Sequence, residues 1–273
     1  MKINNKINLL DCTLRDGGYY NQWDFDYAMV SRYLKAIKLA SITVVELGFR
    51  SKPHSTFMGP YYYSTDEFIE GLELPTGVQF GVMINGKDFL DGDTTDIDGI
   101  KNLFCSADKS PISLVRIAIN FNAASKVEKI SKQLKDLGYQ VGVNLMQSNN
   151  KEDDQYIKIA DKIRTWNSTD ILYFADSLGN MNPNDVIKIC NSLKKGWDKS
   201  LGIHTHNNKS LALINSITAI ENEVTWCDGT IGGMGRGAGN VTTESLIMEL
   251  SLLGKHEGDA TALNPAVEDF RNL

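Results

Sequence analysis

The sequence predicts an α/β fold, a single (β/α)8 barrel spanning residues 1–273. Three observations carry that expectation. Short apolar runs alternate with longer amphipathic ones from end to end, and eight strand-plus-helix units can be counted. The glycine fingerprint that an open doubly wound sheet carries after its first strand is absent. Strands alternating with helices pair in parallel through right-handed crossovers, and eight of them close into a barrel.

The strand-like runs are 7–13, 43–49, 78–84, 114–120, 140–146, 170–175, 202–206 and 225–231, each rich in Val, Ile, Leu or aromatic residues. Helix-like segments follow at 26–40, 124–137, 154–166, 184–197, 211–221 and 243–253. Asn182-Pro183-Asn184-Asp185 reads as a helix start with early acids, and Gly138 and Gly254 sit where helices stop. The longest connection follows the second strand, from Arg50 to Tyr63, and in a barrel it lies over the mouth as a lid.

With 28 Lys and Arg against 34 Asp and Glu, the chain carries a formal charge of -6, and its basic residues are scattered. A nucleic-acid partner needs a basic face, so none is expected. No apolar run approaches the ~18–20 residues that span a bilayer, and the N-terminus shows no signal-type core, so no membrane association is expected. Cys12, Cys105, Cys190 and Cys227 form no CxxC pair, which fits a reducing, cytoplasmic setting.

Three motifs carry chemistry. In His204-Thr205-His206 the two imidazoles share one face of a strand, the geometry that presents two ligands to one divalent ion; a hydrogen-bonded pair is the alternative. Asp11-Cys12-Thr13-Leu14-Arg15-Asp16-Gly17-Gly18 ends a strand in an opposed charge pair, which offers a carboxylate to complete a facial set and a fixed cation for a developing enolate; an ordinary ion pair at the barrel mouth is the alternative. The glycine loop from Gly232 to Asn240 offers either a tight turn or an anion nest, with Asn240 supplying a carbonyl oxygen. Glu46, Asn120, Asn144 and Asp176 lie at or near strand ends and add a polar crown.

Together, Arg15-Asp16-Gly17, Glu46, His204-x-His206 and Gly237-Ala238-Gly239-Asn240 resemble the DRE-TIM metallolyases. Asp11–Tyr20 and Tyr173-Phe174-Ala175-Asp176-Ser177-Leu178-Gly179 are most similar to the catalytic domains of 4-hydroxy-2-oxovalerate aldolases. The resemblance implies a TIM barrel that binds Mn²⁺ or Mg²⁺ through Asp16, His204 and His206, with Asn240 as a further ligand. It implies a 2-oxo acid and an aldehyde as small-molecule substrates, and an enolate stabilised by Arg15 beside Glu46. Asn144, Asp176, Arg236 and the lid residue His54 are the expected substrate contacts. Where these aldolases place a histidine base, this sequence has Tyr19, and a phenol ionises only near pH ~10 in water. The proton work then falls to Tyr19, Tyr20, His54 or a metal-bound water. The glycine loop lacks the cysteine of the CoA lyases, and the region by which such aldolases dock to a dehydrogenase is missing, so no channelling partner is expected; a homodimer is the common default. A Claisen-type condensing transferase and a barrel that binds without turnover are the competing expectations.

Overall fold

In the computed structural model, which describes residues 7–92 and 94–273, the alternating apolar runs become eight parallel strands. They are β1 (Asn8–Asp11), β2 (Val44–Phe49), β3 (Gln79–Asn85), β4 (Leu114–Asn120), β5 (Gln140–Met146), β6 (Ile171–Asp176), β7 (Ser200–Thr205) and β8 (Trp226–Gly229). Each pairs with its neighbours in chain order, and β1 pairs with β8 to close the barrel, as the sequence predicts. Around it run α1 (Tyr27–Leu39), α2 (Asp66–Glu70), α3 (Ile97–Leu103), α4 (Glu128–Asp136), α5 (Asp153–Thr165), α6 (Pro183–Gly196), α7 (Ala212–Glu221), α8 (Thr243–Leu252) and α9 (Asn264–Arg271). The start expected for α6 forms a capping box, Asn182 accepting from the Asn184 and Asp185 amides while Asp185 accepts from the Asn182 amide.

Strand periodicity sorts the residues. One parity faces the helices and joins the main apolar core; the other faces the barrel axis. Near the strand starts the axis is filled by Leu10, Val44, Leu114, Ile171 and Trp226. Tyr173 lies above them, and it fits because Gly202 opposite carries no side chain: a Cβ there would sit 2.4 Å from the Tyr173 ring. Towards the strand ends the axis turns polar, with Glu46, Arg116, Asn144, His204 and Asp228 buried. Burying one large apolar side chain stabilises by about 1.5–3 kcal/mol, so the apolar shell between strands and helices supports this polar interior.

Several boundaries differ from the expectation. β1 stops at Asp11, and Thr13–Asp16 form a single helical turn, so Arg15 and Asp16 lie on a turn and not on the strand. β7 stops at Thr205, and His206 makes an isolated antiparallel bridge with Asn240. The segment read as one helix over 124–137 divides into a 3₁₀ stretch, Phe121–Val127, and α4. The lid contains a helical turn, Pro60–Tyr63. It is anchored at its root by Arg50, which donates from Nη2 to the Ser64 carbonyl at 2.7 Å and to Asp66 at 2.6 Å. It is also tied to the segment after β1, because the Gly59 amide donates to the Gln22 carbonyl at 2.7 Å.

Candidate metal centre

The turn after β1, the end of β7 and the glycine loop converge on one buried point. Ligand atoms of Asp16, His204 and His206 all lie within 4.8 Å of one another, and the two imidazole centroids are 5.1 Å apart. The i, i+2 spacing therefore places both rings together, although His206 has already left the strand. Asn240 donates from Nδ2 to Asp16 Oδ2 at 2.7 Å, and its Oδ1 is buried with no hydrogen-bond partner among the described residues.

Beneath these groups the charges close into a ring. Arg15 Nη1 reaches Asp16 Oδ1 at 2.5 Å, and Arg15 Nε donates to Glu46 Oε1 at 2.7 Å. Glu46 Oε2 accepts from Arg116 Nε at 2.6 Å. Arg116 Nη1 meets Asp228 Oδ2 at 2.7 Å, and Asp228 Oδ2 lies 2.9 Å from His204 Nδ1. His204 Nε2 returns to Asp16 Oδ2 at 3.3 Å. Two guanidinium groups against three carboxylates leave one net negative charge before His204 is counted, all of it removed from water. Such groups are tolerated inside only when each finds its counterpart.

Electrostatics follow from the ring. Burial alone would raise Asp16, but Arg15 and the His204 contact outweigh it and hold the carboxyl far below its ordinary value. Burial works against charge on His204, yet its hydrogen bonds to Asp16 and Asp228 raise it above its usual 6.5. His206 is pushed down to about 4, first by burial and then by the His204 charge, so its ring is a neutral ligand near pH 7. An ionised carboxylate, two imidazoles and a buried amide oxygen, over a net negative ring, form a donor set suited to a divalent cation. Asp228 holds His204 from the far side, the outer contact that fixes a ligating imidazole.

Arg116 and Asp228 were not singled out from the sequence. The signal was there: each is a lone charge inside an otherwise apolar strand, and a buried charge requires a partner. Glu46, expected beside the reacting centre, has both oxygens engaged by Arg15 and Arg116.

Other expected residues scatter. Asn144 is buried on the axis, its Oδ1 without a hydrogen-bond partner among the described residues. Asp176 differs from expectation: it has the outward parity and accepts from the Asn180 and Met181 amides, which fixes the turn after β6. Asn120 likewise builds a local turn, accepting from the Asn122 amide. Tyr20 donates to the Gly235 carbonyl at 2.9 Å, and His54 is occupied on the exposed lid, its Nδ1 2.8 Å from Thr56 Oγ1. Tyr19 stands elsewhere. It lines a cavity of about 510 Å³ at the barrel mouth, together with Arg15, Trp23 and Arg236. The Arg236 guanidinium lies 4.8 Å from the Tyr19 ring centroid. Trp23 fixes this wall by donating to the Arg15 carbonyl at 2.8 Å, an approach that needs Gly18, where a Cβ would lie 2.1 Å from the indole.

The fold and this grouping can be compared with known proteins. The family model described as HMGL-like matches residues 111–269. A 4-hydroxy-2-oxovalerate aldolase from Geobacillus genomosp. 3 is 30% identical over 256 residues, covering 92% of this chain and 72% of that protein. The N-terminal domain of a Bacteroides vulgatus protein assigned as an aldolase superposes with a TM-score of 0.83 at 30% identity, covering 97% of this chain and 86% of that one. An HMG-CoA lyase from Brucella melitensis, at 15% identity and a TM-score of 0.77, covers 98% of each chain and shares the fold. With the family model spanning more than half of its length, the chain belongs to the HMGL-like, DRE-TIM family of barrels.

Proposed function

We propose that the chain is a divalent-metal-dependent aldolase that makes or breaks the carbon–carbon bond between pyruvate enolate and an aldehyde. The observation that carries this is the juxtaposition of Asp16, His204 and His206 with the Arg15 guanidinium, joined through one hydrogen-bonded ring. Asp16, His204 and His206 would hold the ion, with Asn240 Oδ1 as a fourth donor; Mn²⁺ and Mg²⁺ both suit the oxygen-containing set. When bound, such an ion supplies Lewis-acid polarisation of a 2-oxo acid.

The chain's own residues do the rest. Arg15 spends Nε on Glu46 and Nη1 on Asp16, while its buried Nη2 has no partner among the described residues and is left for the substrate oxygen on which charge develops. Cleavage removes the 4-hydroxyl proton, breaks C3–C4, releases the aldehyde and leaves the electron pair on the pyruvate enolate. Return of a proton to C3 gives pyruvate. Of the side chains considered for the proton, Tyr19 is the one on the cavity wall.

The test is pyruvate release from a 4-hydroxy-2-oxo acid by metal-depleted protein with and without added Mn²⁺. Release should need the ion and vanish in His204→Ala. Metal-independent release, or full activity in that variant, would overturn the proposal.

A further inference from the structure

Resting on the aldolase function proposed above, we infer that the preferred substrates are 4-hydroxy-2-oxo acids bearing a bulky apolar group at carbon 4, an alkyl chain or aryl ring of about six carbons or more. The cavity beside Arg15 is much larger than a short aldehyde needs. It offers about 510 Å³ in a cleft that opens to solvent, whereas an apolar cavity of about 150 Å³ holds benzene. Space therefore remains for a ring-sized group after the oxo-acid portion is seated.

The walls define the chemistry of that space. They include Trp23, Phe49, Met58, Tyr62, Met83 and Met146. The rings form one cluster, Trp23 meeting Tyr62 at 5.0 Å and Phe49 at 5.7 Å edge to face. The thioethers add surface that adapts to an irregular apolar guest. Several polar groups on the same walls are already engaged, while Arg15 Nη2 stays open for the oxo acid. Asn85 Nδ2 donates to Asp88 Oδ1 at 2.9 Å, Arg236 lies over Tyr19, and Arg15 is held by Glu46 and Asp16. A polyhydroxylated substituent would bring hydroxyls against the faces of Trp23, Phe49, Met58, Met83 and Met146, which offer them little hydrogen bonding. An apolar one gains about tenfold or more per well-seated methylene.

The test compares kcat/KM for pyruvate release by the full chain loaded with Mn²⁺. The substrates are 4-hydroxy-2-oxopentanoate, 4-hydroxy-2-oxodecanoate, 4-hydroxy-2-oxo-4-phenylbutanoate and a polyhydroxylated 2-oxo acid of the decanoate's length. The decanoate and phenyl substrates should exceed the pentanoate by about tenfold or more, with the polyhydroxylated acid no better than the pentanoate. Ala118→Leu, which adds bulk on the cavity wall, should bring that ratio towards one. If that variant fails to fold, Met58→Ala on the lid should lower the ratio by removing wall contact. Equal kcat/KM across the series, a preference for the polyhydroxylated acid, or a ratio unchanged in the folded variant would overturn the inference and leave the aldolase function standing. Silence towards every substrate would overturn both.

Discussion

Tyr19 stands where the family resemblance implied an imidazole base, and it is half exposed on the cavity wall with Arg236 over its ring and Trp23 at its edge. If it exchanges the 4-hydroxyl proton, Tyr19→Phe should lower kcat by about 10²–10⁴ with little change in KM, as loss of a general acid–base does. A steady-state assay retaining wild-type kcat would reassign that proton. His204 makes a second prediction. Its protonated form is favoured above the ordinary 6.5 by Asp16 and Asp228, so that contribution to stability is fully present below pH 6.5 and is lost as pH rises through the folded value. An ion must displace that proton. His206, down at about 4, and the ionised Asp16 have none to give near neutrality. Manganese affinity measured by titration calorimetry should therefore weaken as pH is lowered through the raised His204 value, with protons released as the ion binds. A pH-independent affinity would contradict this assignment of the proton.

At the scale of elements, β4 and β8 matter through one charge each. Arg116 on β4 spans the interior between Glu46 and Asp228 on β8, linking the residue that holds Arg15 to the residue that holds His204. Arg116→Met removes the cation that Glu46 and Asp228 share, leaving Glu46 with Arg15 alone and Asp228 with His204 alone, and should cost about 3–5 kcal/mol of stability, read from urea unfolding. A loss within about 0.5 kcal/mol, as at an ordinary surface site, would show that the strut is dispensable. The same strands show where sequence reading succeeds and stops. Strand positions were legible because apolar runs of strand length recur between helical patterns, and His204-x-His206 was legible because its partners are near in sequence. The Arg116–Asp228 pair was not, since 112 positions separate two lone charges that meet only across a closed interior. Asp176 was expected as a substrate contact, yet parity turns it from the axis: Ala175 pairs with His204 on the axis, which puts Asp176 beside Thr205 on the outside. The helical turn at Thr13–Asp16 follows backbone contacts such as Asp16 N to the Cys12 carbonyl at 2.9 Å, which residue types alone did not indicate.

For the whole molecule, barrel closure and site assembly are one event. Asp16 follows β1, His204 lies on β7 and Asn240 follows β8, and they meet because β1 pairs with β8 and β8 with β7. Leu10 of β1 and Cys12 just after it, packed with Trp226 and Tyr173, close the axis below, so the charged ring rests on an apolar base. The glycine loop crosses over β7, where the Asn240 amide donates to the Gly233 carbonyl and His206 bridges to Asn240, bringing the last donor within reach of Asp16. A site assembled from both ends of the chain should be lost together with the fold, so metal uptake and global unfolding should share one transition. The most direct measurement is an anomalous difference map from crystals grown with saturating Mn²⁺ and pyruvate. A single strong peak bounded by Asp16, His204 and His206, with Arg15 facing the bound oxo acid, is the expected result; no peak there, or one held by other side chains, would contradict it.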